Sequence, residues 1–280
     1  MPAMNSLWTL VLAVALTFPS AAFAQAKPAA KGYEPQAYQE GKDVIWLPTP
    51  QSLVDKMLEM AQVGPKDVVY DLGSGDGRTV ITAAKKFGVR ATGIEYNPDM
   101  VEFSTRSARA AGVADKVRFI KADLFETDLS EATVVTMYLL TTLNLKLRPK
   151  ILDLKPGTRV VSHAFDMADW QPDRTETLEG RTAYLWIVPA KVAGTWQSPQ
   201  GDLTLRQTYQ YVTGTLGSGA QPATIDKGRL RGEQVSFTAG GAEYTGRITG
   251  NRIEGTVKKA GTATPWTATR RADNPVSSLQ

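Results

Sequence analysis

The segment whose residue types most directly imply a ligand is Asp71-Leu72-Gly73-Ser74-Gly75-Asp76-Gly77-Arg78, which lies between an apolar run and a helical stretch. Glycines there let the backbone turn sharply and let a ligand approach closely, and the carboxyl edge of parallel strands is where open α/β sheets bind ligands. The spacing is Gly-x-Gly-x-Gly, with Arg78 where a dinucleotide fingerprint needs its last glycine, so a pyrophosphate cradle is disfavoured. No Gly-Lys-Ser/Thr follows, which excludes a P-loop. Two acids extend the pattern. Glu95 ends the second apolar run, 22 residues after Gly73, where a carboxylate can accept both hydroxyls of a ribose. Asp123 follows the third run, beside the expected nucleobase.

Together these residues resemble the class I S-adenosylmethionine-dependent methyltransferases, over roughly residues 44–190. The resemblance implies a Rossmann-like α/β domain with a mainly parallel sheet and S-adenosyl-L-methionine as cofactor. It assigns Asp71, Gly73, Ser74, Gly75 and Gly77 to the methionine end, Glu95 to the ribose, and Asp123 with the adjoining Leu124 to the adenine amine. A narrower resemblance rests on Pro48-Thr49-Pro50, Asp71–Arg78, the Glu95-Tyr96-Asn97-Pro98 turn, and Asp123-Leu124 leading to Asp128-Leu129-Ser130. These look like the lysine methyltransferases of the ATP synthase c-ring protein and the adenine nucleotide translocase, and their bacterial relatives. That likeness implies a protein-lysine acceptor, with Thr49 and the Tyr96-Asn97 turn closing over the cofactor. The chain departs from that group in carrying an export signal and an appended β domain.

Methyl transfer from a sulfonium is an in-line displacement, so catalysis rests on holding the nucleophile near the methyl and excluding water. Acceptor-side residues are expected after the fourth and fifth strands. Tyr138 ends the fourth run, which lacks the Asn-Pro-Pro-Tyr of enzymes that methylate an adenine or glutamine nitrogen. The fifth leads into Ser162-His163-Ala164-Phe165-Asp166-Met167-Ala168-Asp169-Trp170. Tyr138, His163 and Asp166 are the catalytic candidates, and Thr49, Asp169 and Trp170 the substrate-binding ones. Each has a plainer structural role open to it: a strand-end aromatic for Tyr138, a local hydrogen bond for His163.

The elements that must position these residues follow from periodicity. Thr49 is expected to cap a helix that has Pro50 at its first position and Leu53, Met57, Leu58 and Ala61 on one face. Five apolar runs, 68–72, 91–95, 117–120, 133–138 and 159–162, alternate with helical stretches at 79–87, 99–111 and 142–154. That alternation predicts a parallel sheet covered on both faces, with 175–178 and 183–188 as edge strands.

After Pro189 the pattern changes to short alternating segments parted by glycine turns, predicting a small antiparallel barrel or sandwich over 194–271. A turn at Gly250-Asn251 sets Ile248 opposite Ile253, Tyr244 opposite Val257 and Arg247 opposite Glu254. A second at Gly232-Glu233 sets Leu230 opposite Val235 and Gly228 opposite Phe237. Gly194-Thr195-Trp196 and Trp266–Arg270 are similar to the ends of lipocalin-like barrels, where Trp and Arg stack.

Composition bounds the rest. With 42% hydrophobic and 21% charged residues, the 280-residue chain is globular. It has no cysteine and a single histidine, which removes disulfides, thiol nucleophiles and histidine-rich metal sites. The net charge of +4 is too small to imply nucleic acid as a partner, and it falls entirely in 194–280. Residues 1–24 read as an export signal cut after Ala24: an apolar run from Leu7 to Phe18 precedes Ala22-Phe23-Ala24. The run is shorter than the ~20 residues of a spanning helix, so a periplasmic or secreted protein is expected ahead of a membrane-anchored one. Residues 25–43 are expected to be a flexible leader, with order beginning near Trp46, and 272–280 a tail. The cofactor is made in the cytosol, so a second function class remains: an exported non-catalytic binding protein that keeps the scaffold and recognises a partner or the cell envelope through its β domain.

Overall fold

The computed structural model describes residues 32–218 and 220–271, and the signal, its cut after Ala24 and the tail at 272–280 lie outside them. The described residues from Tyr33 to Arg271 fold as one compact unit built around two sheets.

The first sheet comprises β1 (Val68–Leu72), β2 (Arg90–Glu95), β3 (Val117–Lys121), β4 (Val134–Met137), β5 (Arg159–His163), β6 (Arg174–Leu178) and β7 (Arg181–Ile187), in the order β3-β2-β1-β4-β5-β7-β6. The first five are parallel, while β7 runs antiparallel to both β5 and β6. The strand order reverses beside β1, so the crevice lies over the carboxyl ends of β1, β2 and β4. Neighbouring residues of one strand face opposite layers. Val134, Val161 and Leu185 join one buried cluster, with helices α1 (Gln51–Met60) and α2 (Arg78–Phe87); Val135, Val160 and Trp186 join another, with α4 (Thr141–Leu152). Helix α3 (Pro98–Ala110) begins under Asn97, whose side chain accepts the Asp99 amide, an ordinary N-cap. The expected cap of α1 is different: Pro50 holds that place, and the Thr49 hydroxyl turns inward.

The second sheet is a closed barrel of eight strands: β8 (Gly194–Ser198), β9 (Gly201–Thr208), β10 (Tyr211–Leu216), β12 (Asp226–Arg231), β13 (Gln234–Ala239), β14 (Ala242–Thr249), β15 (Arg252–Lys259) and β16 (Thr262–Arg270). Pairing of β9 with β10 closes it, and the short β11 (Ala223–Thr224) adds to β10. Full closure removes the sheet edges that invite aggregation. The hairpin at Gly250-Asn251 has all three expected cross-strand pairs. Leu230 faces Val235, but the ladder then shifts by a bulge between Asp226 and Arg229, so Gly228 is not opposite Phe237 and pairs with Val212 on β10. Alternation along β14 sends Ala242, Tyr244, Gly246 and Ile248 inward, where the Tyr244 ring stacks on Phe237 with centroids 4.8 Å apart. Arg270 lies 4.3 Å over the Trp196 ring and donates to the carbonyls of Lys191 and Ala193, sealing one end.

The two sheets share an interior. Tyr209, between β9 and β10, is buried in the cluster of Trp170 and Trp186, stacking on Trp170 at 5.8 Å. Its hydroxyl donates to Asp169, and Arg229 pairs with Asp173.

Candidate functional site

A cleft of about 330 Å³ opens at the carboxyl ends of β1, β2 and β4, within the usual range for small-molecule sites. Asp71 on β1 faces Gly93 of β2 and Thr136 of β4 in register, and its carboxylate accepts the Thr136 hydroxyl at 2.7 Å. Burial pushes its pKa up to about 7, against that hydrogen bond, and the nearby Asp76 and Glu95 charges push the same way.

The glycine loop rises from Leu72. Gly73 and Ser74 both donate their amides to the Ile94 carbonyl at 2.9 Å, tying the loop to β2. Gly75 has φ +52°, and a Cβ there would stand 2.2 Å from the Trp46 indole nitrogen. Gly77 has φ +79°, and a Cβ would meet the Phe119 ring at 2.6 Å. Both positions therefore demand glycine, for conformation and for space. Glu95 then locks the arrangement: one carboxylate oxygen accepts the Gly75 amide and the other the Asn97 amide, each at 2.9 Å.

Asp71, Gly73, Ser74, Glu95, Tyr96, Asn97, Asp123, Leu124, Thr49 and Tyr138 all line the cleft. Gly75 and Gly77 are not in the lining and pack instead against Trp46 and Phe119. Asp123 is not open: Lys42 pairs with it and also lies 4.7 Å over the Tyr96 ring.

The acceptor-side expectations divide. The Tyr138 ring lies 3.8 Å from that of His163 and 6.0 Å from that of Phe165, which also lines the cleft. His163 itself is 3% exposed, with Nδ1 3.1 Å from the Thr49 hydroxyl. Burial, helped by the Arg181 charge, pushes its pKa down to about 4, so it is a neutral imidazole packed behind Tyr138 and Thr49. Asp166 accepts the Ala168 amide in its own turn and is not part of the cleft wall. Asp169 and Trp170 lie outside the cleft. Trp170 is fully buried against Trp186 and Tyr209, and Asp169 is engaged by Arg148 and the Tyr209 hydroxyl. Both serve the joint with the barrel, through the Tyr209 ring and hydroxyl.

The largest departure is the segment before Pro48. Where order is expected to begin near Trp46, the chain already packs from Tyr33: the Tyr33 carbonyl accepts from Arg106, and Tyr38 and Trp46 exchange backbone bonds with Trp46 and Gln39. Residues 39–49 form the outer wall of the cleft. Arg78 fastens this wall, donating to the Thr49 carbonyl at 2.9 Å while its other nitrogens hold Asp76. The apolar run Val44-Ile45-Trp46-Leu47 was the signal for it.

Comparison with known proteins agrees with this architecture. The ANTKMT methyltransferase domain model matches residues 71–174. A protein-lysine N-methyltransferase of Saccharolobus islandicus is 46% identical over 151 residues, 52% of this chain and 94% of that protein. The mouse adenine nucleotide translocase lysine N-methyltransferase is 36% identical over 42% of this chain, which spans only 52% of its length. Among solved structures, one described as an RNA methyltransferase from Salinibacter ruber, in complex with S-adenosyl-L-homocysteine, is 57% identical with a TM-score of 0.51, over 52% of this chain and 96% of that one.

The residues present fit such a cofactor. Ser74 Oγ is buried with no hydrogen-bond partner among the described residues. Asp71 is a buried acid with no cation paired to it there, a place suited to a ligand ammonium.

Proposed function

Because the chain belongs to the family of S-adenosylmethionine-dependent methyltransferases that contains the archaeal protein-lysine N-methyltransferase, we propose that it methylates the side-chain amine of a protein lysine. The observation that carries the choice of acceptor is charge. Beside the three acids given to the cofactor, Asp71, Glu95 and Asp123, the cleft is lined by Glu40, Asp43 and Asp76, and its two cations, Lys42 and Arg78, are each paired with an acid, Asp123 and Asp76, which leaves Glu40 and Asp43 as a net negative rim. Such a mouth concentrates ammonium groups and repels a phosphate backbone.

When bound, the cofactor supplies an electrophilic methyl on a sulfonium. In this reading Asp71 and Ser74 hold its amino-acid end, Glu95 the ribose and Asp123 the nucleobase. The acid rim draws the lysine ammonium in, and the apolar throat of Tyr138, Phe165, Leu139 and Leu140 strips its water. Desolvation favours the neutral amine, whose lone pair is the nucleophile. Tyr138 orients that amine, His163, held in turn by the Thr49 hydroxyl, fixes the Tyr138 ring from behind, and the 39–49 wall keeps water out. With a pKa near 4, His163 is too weak a base to take the proton, which leaves to solvent as the amine enters.

The test is incubation of the purified protein with methyl-labelled cofactor and separate protein and RNA fractions of a cell envelope extract. Label on lysine, seen as single-methyl mass shifts, is the expected result; label confined to RNA would refute the acceptor. Export is part of the same proposal, on the strength of Leu7–Phe18 and Ala22-Phe23-Ala24. Envelope fractions should then contain a chain beginning at Gln25, and a cytosolic chain that keeps residues 1–24 would end that part.

A further inference from the structure

The place expected to receive a nucleobase amine is held in this molecule by another amine. Lys42 reaches Asp123 from the 39–49 wall, with its ammonium also against the face of Tyr96. The wall is no loose end. It is fastened by the Tyr38–Trp46 and Trp46–Gln39 backbone bonds, by Arg78 on the Thr49 carbonyl, and by the Trp46 indole packed on Gly75. Lys42 is thus kept within reach of Asp123. The pair is nevertheless part-exposed, 34% and 22% at the side chains, and such pairs are weak enough to exchange.

We propose that Lys42 is a specificity-determining residue of the cofactor site: its ammonium competes with the adenine amine for Asp123, and it bridges Asp123 to purines that carry a carbonyl oxygen there. This rests on the placement of the nucleobase at Asp123. An exocyclic amine donates to the carboxylate and must displace Lys42 to do so. A carbonyl oxygen can only accept and is repelled by a carboxylate, but an ammonium between them donates to both. Removing the ammonium therefore moves the two ligands in opposite directions, whereas damage to the wall would weaken both.

Calorimetry with S-adenosylhomocysteine and S-inosylhomocysteine, on wild type, Lys42→Met and Asp123→Asn, tests this. Methionine keeps the apolar stem. Lys42→Met should bind the adenine ligand about two- to five-fold tighter, the scale of an exposed ion pair, and the inosine ligand more weakly, widening the ratio by roughly tenfold. Both affinities moving together, or neither moving, overturns the proposal. Asp123→Asn reports on the placement beneath it. If that variant binds both ligands as wild type does, the nucleobase is not at Asp123. If it weakens the adenine ligand while Lys42→Met leaves the ratio unchanged, the role of Lys42 alone fails.

Discussion

Glu95 holds Gly75: one oxygen of the carboxylate at the end of β2 accepts the amide of the tightest glycine in the β1 loop at 2.9 Å, while the other accepts Asn97. The acid expected to meet a ribose is therefore also the brace of the loop beneath it. Glu95→Ala removes both bonds, each worth about 1.5–3 kcal/mol for a charged acceptor. Allowing for relaxation, affinity for S-adenosylhomocysteine should fall about 10- to 100-fold by calorimetry. An unchanged affinity would deny Glu95 either role.

Asp71 should make cofactor binding depend on pH. With a pKa about 7, it is partly protonated in the free protein near neutrality, and a ligand ammonium favours the carboxylate. Binding should release a proton and weaken as pH falls below about 7, visible as a buffer-dependent heat; Asp71→Asn should lose that dependence along with most of the affinity.

Asp71 and His163 act oppositely on stability. The folded chain keeps the Asp71 proton that an unfolded chain, with its ordinary 3.8, has released, so that contribution is whole below pH 3.8 and is lost as pH rises through about 7. His163 works the other way: its contribution is whole above 6.5 and is lost as pH falls toward about 4. Thermal unfolding should show Asp71→Asn raising the melting temperature more at pH 8 than at pH 5. A larger gain at pH 5 would contradict the assignment.

Tyr138 and Phe165 should govern turnover and leave cofactor affinity alone. Tyr138→Ala should lower kcat by about 100-fold, the lower end of what a positioned polar group contributes, with S-adenosylhomocysteine binding unchanged. His163→Ala should lower kcat less, through the loosened Tyr138 ring. The wild-type rate should show no inflection near pH 6.5 from the imidazole; an inflection that His163→Ala abolishes would restore it as a base.

Tyr209 clamps the joint with the barrel. Tyr209→Phe strands Asp169 from one of its two partners and should cost about 1 kcal/mol in thermal or urea unfolding. Methyl transfer to a free-lysine peptide should be little affected, since nothing of that joint reaches the cleft.

Strands and helices were legible because the central strands β1, β4 and β5 are largely buried on both faces and so are nearly continuous apolar runs, while the barrel strands alternate by twos. The cofactor side was legible for a related reason: Asp71, Gly73 and Glu95 sit at strand ends, where the periodicity itself locates them. Beyond β5 that aid fails. Asp169 and Trp170 follow His163 closely in sequence, but past Phe165, which still lines the cleft, the backbone takes a positive φ at Ala168 and Trp170 packs on Tyr209, and nothing local distinguishes an acid facing substrate from one facing Tyr209. Gly228 misled for a similar reason, since its place against Val212 depends on closure of the whole barrel. Lys42 was hidden because a lysine in a polar leader looks solvated until its contact with Asp123, 81 positions away, is seen.

The seat of Tyr209 among Trp170 and Trp186 has one more consequence. The archaeal relative matches only about half of this chain, which invites the thought that everything past Pro189 is detachable cargo. A chain stopped there would bare the Trp170 indole to water and leave Asp173 without its arginine, so the shortened protein should be sticky and poorly soluble even though every residue lining the cleft is still present.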